Sequence, residues 1–254
     1  MTVKILTTAE IRDAIDSHNL WLRGDYNGRQ ARFQDCIIAE EDLKGVKLRK
    51  AWFTNVCFDD VNFEDADLSS AIFTDVVMHR CNLTKAHGDN VTFERSKVDG
   101  CIFDHAYLEN ADFKCVEASK ASFSHAYLVR ANFTEAVLTY SNFRFAKCNS
   151  ACFDRADMRW ANLEEGSFTN ASMWDVDLFQ AKLNFAKMKG ASLWGSALPF
   201  GHHFTISTAH GLYNILEMLK AIYCLECDGD NNEYAEFQEI IRLIKPYVEK
   251  LGKS

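Results

Sequence analysis

The chain has 254 residues, with 28 Lys and Arg against 36 Asp and Glu, for a net charge of −8. That sign disfavours direct binding to nucleic acid, and no apolar run is long enough to cross a membrane. The nine cysteines scatter without framework spacing, which reads as a reducing cytoplasm, and the first eight residues lack the apolar core of a secretory signal.

Residues 1–30 form the first unit. Thr7-Thr8-Ala9-Glu10 has the form of a capping box, and Ile11, Ala14, Ile15 and His18 fall on one face of the helix it would open. Leu20-Trp21-Leu22 and a turn from Arg23 to Gly28 come next. This segment is expected to cap the second unit and to bury Trp21; the other reading is a docking helix.

Residues 31–198 obey a five-residue register. Large apolar residues recur at every fifth position from Phe33 to Leu198, 34 centres in all, with Gly88, Val98, Ala118 and Cys148 as the irregular ones. Two residues before each centre sits Ala, Cys, Val, Ser or Gly, except at Glu41. A period of five matches neither a helix at 3.6 nor a strand at 2. It fits one short side of a coil, which buries a small and a large side chain and then turns. Phe33, Phe53, Phe73, Phe93, Phe113, Phe133 and Phe153 recur at twenty, so four sides make one coil. The other three columns are mixed. Coils stacked at about 4.8 Å would form a rod of about 8.5 coils, roughly 40 Å long. Its interior would be dry, narrow and without room for a ligand.

The triplets Ala66-Asp67-Leu68, Ala111-Asp112-Phe113, Ala131-Asn132-Phe133 and Ala161-Asn162-Leu163 resemble the A-(D/N)-L-X-X motif of pentapeptide-repeat proteins. The lead-in His18, Trp21-Leu22, Gly24, Gly28 is similar to that of bacterial and phage members. The resemblance implies an all-β solenoid, a right-handed quadrilateral β-helix. The centre and the residue two before it would point inward, and the other three outward.

Function must then lie outside. Glu40 and Asp60 share an outward column, with Asp59, Glu64, Asp65 and Asp67 close by: an acidic partner-binding patch, or a solvated face. Trp174 and Trp194 share another column, and Trp160 also points outward. Exposed indoles mark contact sites, unless C-terminal helices cover them. His105, His125, Tyr107 and Tyr127 form outward ladders, too few converging ligands for a metal. Cys81 and Cys101 are inward neighbours one coil apart, within disulfide reach, although a bond is not expected in the cytoplasm.

Pro199-Phe200-Gly201 ends the register, and residues 199–254 form a third unit of two helices. Leu212, Ile215, Leu216 and Leu219 line the first; Phe237, Ile240, Ile241 and Ile244 line the second. These stripes are expected to cap the last coil, to pair with a second subunit, or both. Asp228–Glu239 has EF-hand acidic spacing but Glu233 where the turn needs Gly. Cys224 and Cys227, with His202, His203 and His210 upstream, make a lone C-x-x-C, weak for zinc or redox chemistry.

No phosphate loop, nucleophile elbow or HExxH occurs, so no catalytic residue, cofactor or metal is assigned. The expectation is a cytoplasmic, non-catalytic protein-binding rod, scaffold, regulator or inhibitor, and a homodimer. The resemblance implies an alternative. Quinolone-resistance and self-protection members are dimeric acidic rods that mimic DNA and engage type II topoisomerases such as gyrase, and a phage counter-defence factor would work similarly. From Gly28 to Phe200 there are 24 acids and 20 bases, far below the about 24 uncompensated charges of a 40 Å stretch of B-DNA.

Overall fold

The computed structural model describes residues 3–183, 186–188, 191, 192 and 196. The C-terminal unit lies outside the described residues, and with it Trp194, the two helical stripes, the EF-hand-like segment and Cys224 and Cys227.

The register of five becomes a register of twenty between strands. β1 (Lys4–Ile5), β2 (Arg32–Ala39), β3 (Trp52–Asp59), β4 (Ile72–Thr74), β5 (Val77–His79) and β6 (Thr92–Glu94) form one parallel sheet. Phe33 pairs with Phe53, Phe53 with Phe73, and Phe73 with Phe93. Beyond β6 the strands shorten to single parallel bridges at the same spacing, and the column begun at Arg32 and Trp52 reaches Ser192. The chain is thus a parallel β-solenoid whose neighbouring coils satisfy each other's backbone groups.

Burial follows the predicted pattern: the centre and the residue two before it are inward, and the rest are half-buried or exposed. The Phe column stacks ring on ring, with centroids 4.5 to 5.3 Å apart from Phe33 to Phe153. A second stack stands beside it. Phe103, Phe123 and Phe143 lie 4.9 Å apart and meet the first stack edge-on at 5.5 to 6.1 Å. Offset stacking and edge-to-face contact are the preferred aromatic geometries, so the interior is a herringbone rather than one spine. At Gly88 the missing side chain is replaced by Leu108, whose Cδ2 would lie 2.8 Å from an added Cβ. Inward hydroxyls are bonded: Ser96 Oγ accepts Val76 N–H at 3.1 Å, and Ser141 Oγ donates to Leu138 O at 2.6 Å.

Each side ends in a residue with left-handed backbone. From Asp35 to Gln180 these corners have φ between 51° and 68°, a region costly for L residues and most so for β-branched ones. None of the described corners is Val, Ile or Thr.

The capping box forms as expected. Thr7 N–H donates to Glu10 Oε2 at 2.9 Å and Glu10 N–H to Thr7 Oγ1 at 3.3 Å, opening α1 (Thr8–Leu22). Lys4 and Thr7 hold the Glu10 carboxyl down to about 2. α1 buries Ile11 and His18, not Trp21. His18 Nδ1 accepts Ala31 N–H at 3.0 Å, and its Nε2 reaches Arg49 O at 3.0 Å. Trp21 is half-buried and stacks on that imidazole at 5.3 Å. The reason is polar: the first coil offers unpaired backbone groups that an imidazole can bond at both ends and an indole cannot. Gly28 packs against the helix end so closely that a Cβ would lie 2.0 Å from Trp21 N.

Candidate functional site

Among the described residues the interior offers no site. Its centres are filled, and among the described residues no cluster of His, Cys, Asp and Glu could hold a metal ion. Cys81 and Cys101 are both buried free thiols, and the Cys81 neighbour, with burial, pushes the Cys101 thiol far up. What remains is the outer surface, three residues per side, arranged as ladders with a rung every coil.

Charge is sorted among the four sides. The sides beginning at residues 31, 36 and 41 each carry seven acids against four bases among the described residues. The side beginning at residue 46 reverses this. It holds Lys47, Arg49, Lys50, Arg130, Lys147 and Lys187 against Asp67, Asp89 and Glu109. The rod is therefore acidic on three sides and basic on one.

The predicted acidic patch spans three of these sides. Glu40 and Asp60 end the second side, with Asp59 beside them; Glu64 and Asp65 lie on the third, and Asp67 on the fourth. Bases interleave with the carboxylates. Arg80 binds Asp59 and Asp60, each at 2.7 Å, Lys44 binds Glu64 at 2.9 Å, and Arg49 lies 3.6 Å from Asp67. The Arg80 guanidinium holds the Asp60 carboxyl below its usual range.

Of the predicted tryptophans, Trp160 and Trp174 are among the described residues and lie on different sides of the rod. Trp160 closes the second side, stacked on Tyr140 at 5.0 Å, with Phe179 edge-on at 5.6 Å. Trp174 lies on the first side of the next coil, half-buried, with the Arg155 guanidinium 4.8 Å from its ring. The His105–His125 ladder forms, with the rings 4.7 Å apart, and Phe145 extends it. The tyrosine column pairs differently: Tyr107 stacks on His87, and Lys147 lies over Tyr127. Trp52 is a further exposed indole, absent from the predicted contact residues, with Arg32 over its ring at 4.1 Å. Its signal was its place, the residue just before centre Phe53, which is always outward.

These features define a class first: a parallel β-solenoid of five-residue sides with a filled core and laddered faces. The chain belongs to the pentapeptide repeat family, whose model matches in eight copies over residues 29–65, 62–87, 89–124, 119–159 and 156–195. Among solved structures it is similar to a trypsin-treated variant of QnrB1, a plasmid-mediated fluoroquinolone resistance protein, at 18% identity and TM-score 0.50, covering 74% of this chain and 90% of that one. It is also similar to HetL of the cyanobacterium Nostoc sp., involved in heterocyst differentiation regulation, at 20% identity and TM-score 0.32, covering 78% of this chain and 100% of that one. No curated protein sequence matches significantly. Among the described residues no helix is long and apolar enough to cross a membrane.

Proposed function

We propose that this protein is a non-catalytic, protein-binding rod that acts as a scaffold, regulator or inhibitor through its outer faces. The observation that carries the reading is the filled interior: every centre from Leu48 to Leu178 is a buried side chain or the gap at Gly88 that Leu108 fills. Chemistry needs converging polar groups in a concave site, and a convex ladder does not bring them together. In this reading residues 1–30 cap a right-handed quadrilateral β-helix of about 8.5 coils over residues 31–198. Residues 199–254 close its far end and pair two cytoplasmic subunits. The acidic patch and the outward tryptophans are its contact residues. Affinity capture with the wild type and with Trp160→Ala, Trp174→Ala and Trp194→Ala tests this. Retention of every partner by all three variants removes the tryptophans from the contact. Sedimentation of the full chain at micromolar concentration tests the dimer, which a monomer overturns.

A second reading is DNA mimicry directed at gyrase or another DNA-binding protein. The acidic excess on three of the four sides favours it, and a fluoroquinolone resistance protein shares the fold. A mimic needs only one face of the correct sign. A supercoiling assay decides it: no inhibition of gyrase and no relief of quinolone inhibition removes this reading.

A further inference from the structure

The outer surface of the β1–β6 sheet differs from the rest of the rod. β2 and β3 each run eight residues without a break, so the first and second sides share one continuous strand surface. Two apolar lines descend it. Ile5, Ile37, Cys57 and Val77 stand in register on one, and Trp52 and Ile72 on the other. Ile5 is 66% exposed, Trp52 40% and Ile72 37%.

Acids border both lines. Asp35 and Asp75 lie between them, and Glu40, Asp59 and Asp60 follow the first line at its outer edge. Over β1 to β6 and the corners that follow them, six acids (Asp35, Glu40, Asp59, Asp60, Asp75 and Glu94) face four bases (Lys4, Arg32, Arg80 and Arg95). Arg80 and Arg95 pair with Asp59, Asp60 and Asp75, so the net acidic sign of the rim rests on Asp35 and Glu40. Exposed apolar surface inside a charged rim is how contact sites are built. The sign of the rim selects the occupant. A second copy would set this acidic rim against its own like charges, and a nucleic acid would be repelled. The described column ends at Ser192, eight rungs from Arg32, about 38 Å away at the strand spacing, at the opposite end of the rod from this face.

We propose that this face docks a basic segment of another protein that carries apolar side chains, with Trp52 and Ile72 as anchors and the carboxylates as the steering rim. The assignment rests on the protein-binding reading and narrows it to one face and one partner chemistry. The probe is a fluorescein-labelled amphipathic peptide of Leu and Lys, titrated with the full-length protein and followed by anisotropy. Binding is expected to weaken about tenfold in the double variant Trp52→Ala, Ile72→Ser, the size of a lost anchor pair. It is also expected to weaken several-fold between about 50 mM and about 300 mM salt. A Leu/Glu peptide should not bind, and Tyr107→Ser, on the basic side, should change nothing. Unchanged far-UV circular dichroism shows that the variants fold. Equal binding to the double variant overturns the proposal. So does self-association that this variant abolishes, which gives the face to a second copy. A natural partner that the double variant holds at full affinity overturns this face while leaving the broader reading standing.

Discussion

Phe113→Ala tests the physical basis of the rod. Phe113 is fully buried, and its ring meets four others: Phe93 at 5.0 Å and Phe133 at 4.8 Å stacked, Phe103 at 5.7 Å and Phe123 at 5.6 Å edge-on. Truncating a buried Phe costs about 3–5 kcal/mol, and each ring pair is worth about 0.5–1.5 kcal/mol beyond burial. With four partners the loss should reach the upper end, about 5 kcal/mol. Phe33 begins the stack, retains 6% exposure and stacks on Phe53 at 5.3 Å; Phe33→Ala should cost about 3 kcal/mol. Phe123→Ala, in the second stack, should match Phe113→Ala. Coils are held chiefly by their neighbours, so a mid-rod defect should also split the unfolding transition in two. Urea unfolding followed by circular dichroism gives both quantities. Equal losses at Phe33 and Phe113, or losses below about 1 kcal/mol at both, would refute the herringbone as the source of stability.

Gly28→Ala drives a methyl group to 2.0 Å from Trp21 N. Backbone cannot rotate aside, so about 3 kcal/mol should be lost, whereas Gly45→Ala, with φ +66° and open space around it, should cost about 1 kcal/mol; thermal melting separates the two. Lys120→Val places a β-branched residue at a corner with φ 60° and should cost about 1–3 kcal/mol, while Lys120→Gly should be neutral or stabilising in the same melts. His18 gives a pH dependence. Burial pushes its pKa below the ordinary 6.5, partly offset by the bond to Arg49 O, so the unfolded chain takes the proton more readily. Stability should therefore be complete above about pH 6.5 and fall as the pH drops towards the folded value, because protonation at Nδ1 ends the bond from Ala31 N–H. His18→Gln should flatten that slope between about pH 6.5 and about pH 5, above the carboxylate range; an unchanged slope assigns it to another group.

Much was legible in the residues themselves. The five-residue register, the inward and outward positions, the period of twenty and the capping box at Thr7 and Glu10 all come from local spacing, because burial in a solenoid repeats with the chain. Two further signals are present in the residues. Phe103, Phe123 and Phe143 also recur at twenty, and the corner positions lack Val, Ile and Thr throughout the described rod, the mark of a left-handed backbone that β-branched side chains resist.

Other features were decided only when the coils closed. Spacing places His18 on the helical face of Ile11, Ala14 and Ile15, but it does not say which of the His18 and Trp21 rings is buried against the first coil; the N–H of Ala31 and the carbonyl of Arg49 select the imidazole. Arg80 reaches Asp60 from twenty residues away, so which base stands against which carboxylate of the acidic patch is decided only in space. Trp52 and Ile72 become one surface with Ile37 and Val77 only because β3 runs unbroken past the corner at Asn55. Periodicity assigns each side chain to the inside or the outside. Which outward residues become neighbours depends on coil closure and on the path of the strand at each corner, and those are properties of the folded chain.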